Sequence, residues 1–147
     1  MTALDANLSG NIHGGVIMKF VDDAAGVVAA RHSGGRVVTA AMDEMTFLVP
    51  VHVGDLVHAK AQINWAGRTS MEIGVRVEAE RWDKVGEPSH TSTAYLVYVA
   101  LDDNELPRSV PPVVPESADD HRHFREAEIR REARLARRAA ILASREP

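Results

Sequence analysis

Several short stretches of this 147-residue sequence carry groups able to do chemistry. His13-Gly14-Gly15 opens an apolar, helix-patterned run, where the first backbone amides have no intrahelical acceptor and the helix dipole is positive. Such an end can hold a carbonyl oxygen that is becoming an oxyanion, as acyl transfer requires. The same three residues also make an ordinary tight turn into a helix. Asp22 and Asp23 fall inside the run, and a carboxylate within so apolar a helix is costly unless solvated, paired or used as a base or nucleophile. By the i, i+3, i+4 rule Asp22 shares an exposed side with Met18, Ala25 and Ala29. Asn7, within Asp5-Ala6-Asn7-Leu8-Ser9-Gly10, brings an amide to the same region or simply shapes a turn. Gly67-Arg68-Thr69-Ser70 supplies a guanidinium, two hydroxyls and free amides; it is sufficient as a hairpin turn and also suited to a phosphate.

Much other chemistry is excluded. Without cysteine there are no disulfides, thiolate nucleophiles, iron–sulfur clusters or common structural zinc sites, and the cytoplasm is the default location. His32, His52, His58, His90, His121 and His123 share no zinc spacing, and His121-x-His123 in a charged tail reads as solvated, so no metal and no bound cofactor are expected. No Ser-centred elbow, Walker loop or dinucleotide fingerprint occurs. The first ten residues lack a signal-peptide pattern, and no apolar run approaches the ~20 residues of a membrane-spanning helix. A net charge of -4 argues against broad nucleic-acid binding.

The elements that must position these groups follow from periodicity. From Gly15 to Arg31, apolar residues recur every three or four positions with Ala and Gly between them, which predicts one largely buried helix. After Ser33-Gly34-Gly35 the pattern turns to strands: Val37 to Leu48, Val57 to Trp65, Met71 to Ala79 and Thr91 to Leu101. The last is apolar on both faces, as a central strand covered on both sides would be. Short connections favour an antiparallel sheet, and the long helix must cover one face of it, giving an α+β domain. Pro107, Pro111, Pro112 and Pro115 mark a linker, and the chain divides into residues 1–116 and a tail, 117–147. Residues 1–117 hold 9 Lys/Arg against 15 Asp/Glu, whereas residues 118–147 hold 8 against 6. Asp119 to Ser144 reads as a helix capped by Ser117 or Asp119, with apolar positions too sparse for a coiled coil, hence solvated or packed at an edge.

Taken together, the run from Asp5 to Lys19 with Asp22, then Thr46-Phe47-Leu48-x-Pro50 and Val53-Gly54-Asp55, then Gly67 to Met71, resembles the acyl-coenzyme A thioesterases of hotdog fold. Within them it is most similar to the cytosolic, brain-type acyl-CoA hydrolases, whose helix start and Arg-rich tail resemble His13 to Arg31 and Val114 to Arg138. The resemblance implies a long helix wrapped by an antiparallel sheet and a homo-oligomer with sites between subunits, a dimer at least, with a trimer of dimers (hexamer) as the family's form. It maps the catalytic pair onto Asp22 and Asn7, the oxyanion donors onto the His13, Gly14 and Gly15 helix start, and coenzyme A phosphate contacts onto Arg68, Thr69 and Ser70. Family members carry a strand ahead of the Asn-bearing stretch, where this sequence has Met1 to Leu4. The expected activity is hydrolysis of acyl-CoA to fatty acid and coenzyme A, with Asp22 as base or nucleophile. The alternatives are an acyl-thioester dehydratase built on His13 and Asp22, and a non-catalytic acyl-CoA-binding protein.

Overall fold

The computed structural model describes residues 1–145. The helix-patterned run forms α1 (Gly14–Ser33), which buries Ile17, Val21, Ala25, Ala29 and Ser33. Ala25 and Ala29 are therefore on the covered stripe and not on an exposed side with Asp22, because their small side chains let the helix approach the sheet closely; Met18 is 42% exposed. The helix stops at Gly34, which adopts the left-handed conformation (φ 73°) and donates its amide to the Ala30 carbonyl.

Four strands follow: β1 (Val37–Phe47), β2 (Asp55–Ala66), β3 (Ser70–Arg81) and β4 (Ser89–Ala100). They form one antiparallel sheet in the order β1-β4-β3-β2. β4 is thus central, in agreement with its apolar character on both faces. Alternation along β3 sends Met71, Ile73, Val75 and Val77 under α1, where they meet Ala94 and Leu96 of β4 in the core. Glu72, Gly74, Arg76 and Glu78 consequently point to the opposite face. β1 is an edge strand with register shifts between Thr39 and Ala41 and between Met42 and Glu44, bulges of the kind that re-aim side chains. Residues 3–5 form a single 3-10 turn.

The proline-rich segment is less free than a linker. Arg108 donates to the Ser33 and Leu101 carbonyls, Val110 donates its amide to Arg68, and the Pro111 carbonyl meets His32. Unpaired carbonyls at the end of α1 and at the strand ends recruit it. Helix α2 (Ala118–Ala143) then starts on a capping box: Asp120 donates its amide to the Ser117 hydroxyl, and Ser117 returns its own amide to the Asp120 carboxylate. α2 crosses the outer face of the sheet and buries a single apolar residue, Ala127. Charge holds it there: Arg130 grips Glu72 at 2.6 and 3.1 Å and lies 3.5 Å over the Tyr95 ring, while Arg134 pairs with Asp43. His121 is exposed, while His123, half-exposed, bonds to Gln62 of β2 as the helix brings it against the sheet.

Candidate active site between helix and sheet

Asp22 lies midway along α1, half-buried, with its carboxylate over the end of the sheet where β1 begins. Its Oδ1 accepts from Thr39 Oγ1 at 2.7 Å and from the Tyr98 hydroxyl at 2.6 Å. Thr39 and Tyr98 are register partners, so both donors come from one rung of the sheet. Burial pushes the Tyr98 phenol far above its ordinary ionisation range, and the neighbouring Asp22 carboxylate pushes it further, so the hydroxyl stays a donor. Asp23, one residue on, faces solvent and pairs with Lys19 at 2.6 Å.

The other end of α1 holds a different set. Asn7 closes a small loop in which its side-chain oxygen accepts from the Ser9 and Asn11 amides at 2.9 and 3.2 Å. With the oxygen committed, the Asn7 Nδ2 is left as a donor, and it makes no hydrogen bond among the described residues. His13 is the exposed residue ahead of the helix and gives no side-chain cap; its amide donates to the Asp5 carbonyl. The Gly14 and Gly15 amides open the first turn, with the Phe47 ring packed against Gly14. Asn7, Gly14, Ile17, Phe47 and Ser92 border a mostly apolar cavity of about 360 Å³.

Arg68 projects from the β2–β3 turn, exposed; its carbonyl accepts from Val110, and its guanidinium forms no hydrogen bond among the described residues. Gly67 lies against Trp65: a Cβ on Gly67 would come within 2.5 Å of the indole, so a larger residue there would require the ring to shift. Ser70 pairs with Val99 and Met71 with Tyr98, which puts the turn at the same end of the sheet as Thr39.

Two clusters result. Asp22, Thr39, Tyr98 and the Arg68–Ser70 turn occupy one end; Asn7, His13, Gly14 and Gly15 occupy the other. Eight residues of helix separate Gly14 from Asp22, about 12 Å at the α-helical rise, too far for both to reach one carbonyl carbon. Within one subunit His13 does not meet Asp22, the pairing a dehydratase would use. Thr39 and Tyr98 escaped the sequence reading because nothing in an alternating strand marks one Thr or Tyr above its neighbours. Among the described residues no group of three or more His, Asp or Glu is arranged to hold a metal ion.

The thioesterase superfamily model matches residues 9–84. A Bacillus subtilis protein named as an uncharacterized acyl-CoA thioester hydrolase is 40% identical over 117 residues, covering 80% of this chain and 67% of that protein. The cytosolic acyl coenzyme A thioester hydrolase of Mus musculus is 35% identical over 127 residues, covering 86% of this chain and 33% of its own length, so the chain spans one third of that relative. A hexameric acyl-CoA thioesterase, solved in apo form, superposes with a TM-score of 0.89 at 34% identity, covering 95% of this chain and 88% of that one. The acyl-CoA hydrolase of Staphylococcus aureus, solved with butyryl coenzyme A and coenzyme A, gives 0.89 at 33% identity over 98% of this chain and 87% of that one. Variants of the Staphylococcus aureus enzyme with alanine in place of an Asp, an Asn and a Thr have also been solved.

Proposed function

This chain belongs to the thioesterase superfamily, and we propose that it hydrolyses acyl-coenzyme A to a carboxylic acid and coenzyme A, with Asp22 as general base or nucleophile. The observation that carries the assignment of residues is a spacing. In the Staphylococcus aureus enzyme the substituted Asn, Asp and Thr follow one another at intervals of 15 and 17 residues. Asn7, Asp22 and Thr39 stand at the same intervals.

The chemistry suits these groups. A thiolate leaves readily, so hydrolysis needs an activated water or carboxylate and stabilisation of the carbonyl oxygen as it gains charge. Asp22 supplies the first. The Asn7 side-chain amide and the Gly14 and Gly15 backbone amides, donors without a partner among the described residues at one helix start, supply the second. Since about 12 Å of helix separates the two sets, the working site takes Asp22 from one subunit and Asn7 with its helix start from another. A homo-oligomer is therefore required: a dimer at least, and a trimer of dimers in line with the hexameric relative. Arg68, Thr69 and Ser70 bind the phosphates of coenzyme A, and the apolar cavity beside Asn7 takes the acyl chain. Cytoplasmic location accords with the cytosolic relative; among the described residues no helix is long and apolar enough to cross a membrane.

The test is thiol release from a panel of acyl-CoAs of increasing chain length. Turnover of at least one member is expected, and a folded protein that releases no thiol above the spontaneous rate removes the reading.

A further inference from the structure

The carboxylate of Asp22 is held unequally. Thr39 and Tyr98 both donate to Oδ1, at 2.7 and 2.6 Å, and the Tyr98 hydroxyl also lies 2.8 Å from the main-chain carbonyl oxygen of Asp22 itself. Oδ2 takes no hydrogen bond among the described residues. We propose that Tyr98 is a positioning residue for the hydrolysis: its hydroxyl, with that of Thr39, anchors Oδ1 and leaves Oδ2 as the oxygen that meets water or the thioester. This rests on the reading of Asp22 given above.

The two donors differ in stiffness. Thr39 is exposed, on the edge strand, beside a bulge. Tyr98 is 3% exposed on the central strand, bracketed by β1 and β3, with Gly26 of α1 lying 3.6 Å from its hydroxyl at the point where a Cβ would be built. A residue so enclosed keeps one rotamer, so its hydroxyl marks a fixed point to which the carboxylate is tied. By reaching both the carboxylate and the carbonyl of the same residue, it sets the direction in which the Asp22 side chain leaves the helix. Positioning of this kind acts on the chemical step, since a reacting oxygen displaced by an ångström is poorly placed for attack. Burial and the Asp22 carboxylate keep the phenol protonated at working pH, so the hydroxyl is available as a hydrogen-bond donor.

Two measurements test the proposal. Tyr98→Phe keeps the ring and removes the hydroxyl; kcat should fall about tenfold with KM within about twofold and melting temperature nearly unchanged. A kcat equal to the parent's, or a loss confined to KM, overturns it. The second measurement needs no turnover and stands even if Tyr98→Phe folds poorly. The chain has two tyrosines, so Tyr95→Phe leaves Tyr98 as the one phenol, whose ionisation is followed by ultraviolet absorption at alkaline pH. Adding Asp22→Asn should let the phenolate appear at lower pH, because the opposing carboxylate charge is gone; identical titrations overturn the contact. A parent protein that releases no thiol removes the hydrolase reading itself, whereas an active parent with an equally active Tyr98→Phe removes only the role of Tyr98.

Discussion

In the proposed hydrolysis a carboxylate, an amide and a guanidinium divide the work, and each makes a separate demand on a substitution. Asp22→Asn keeps the size and the hydrogen bonds to Oδ1 but loses the base; thiol release should drop on the order of 100-fold with the fold intact. Parental rates from a folded variant would dismiss Asp22. The proposed site gives Asn7 two jobs, since its oxygen closes a loop while its nitrogen makes no hydrogen bond among the described residues. Asn7→Asp separates them: the loop acceptor survives and the donor disappears. Stability should hold while about 2 to 4 kcal/mol of transition-state stabilisation is lost, the scale of an oxyanion donor, read as kcat/KM per folded molecule. For Arg68→Ala, KM should rise for coenzyme A thioesters and stay level for pantetheine thioesters, which lack the nucleotide phosphates. Equal effects on both substrates would assign Arg68 to the turn alone.

Elements were legible to different degrees, for reasons visible in their side chains. α1 and the four strands announce themselves through apolar period, and Gly34 marks the helix end. The face of α1 was harder: Ala25 and Ala29 are too small to declare a side, and only packing shows them covered. α2 was legible as a helix but not as a docked one, because its attachment is ionic and aromatic, through Arg130, Arg134, Glu72, Asp43 and Tyr95, and an apolar-stripe argument has nothing to detect there. The catalytic candidates fared similarly. Asp22 stood out as a charge in an apolar helix, whereas its partners Thr39 and Tyr98 are ordinary strand residues until register brings them together. The mode of docking carries its own prediction. Arg130→Met strands the buried Glu72 carboxylate and should cost about 3 to 5 kcal/mol in denaturant unfolding, and adding Glu72→Gln, which removes the charge and keeps the acceptor for Asn64, should restore much of it. A single variant as stable as the parent would show that the pair does not hold α2. On the same face, Lys60 and Arg76 flank Glu78 at 2.5 and 2.7 Å and hold its carboxyl down to about 2. The folded-state value lies below the unfolded 4.5, so this contribution is complete above pH 4.5 and is lost as pH falls toward 2. The difference in melting temperature between parent and Glu78→Gln should therefore narrow across that window, and a constant difference would refute the ion-pair account.

For the whole molecule, the proposed site makes assembly part of the chemistry, because Asn7 and Gly14 are separated from Asp22 along one helix. Subunits carrying Asn7→Asp alone or Asp22→Asn alone should be inactive as pure oligomers. Refolded together, random pairing gives mixed dimers in which one of two sites has both native residues, about one quarter of parental activity. No recovery in demonstrated mixed oligomers would return both residues to a single chain's site, and a fully active monomer by light scattering would remove the shared site. The same division of labour has a genetic reading. A chain bearing both lesions spoils both sites of any dimer it enters, since each site then lacks one member. In a cell making parental and doubly altered chains together, activity should follow the square of the parental fraction, so the altered copy behaves as a dominant-negative allele.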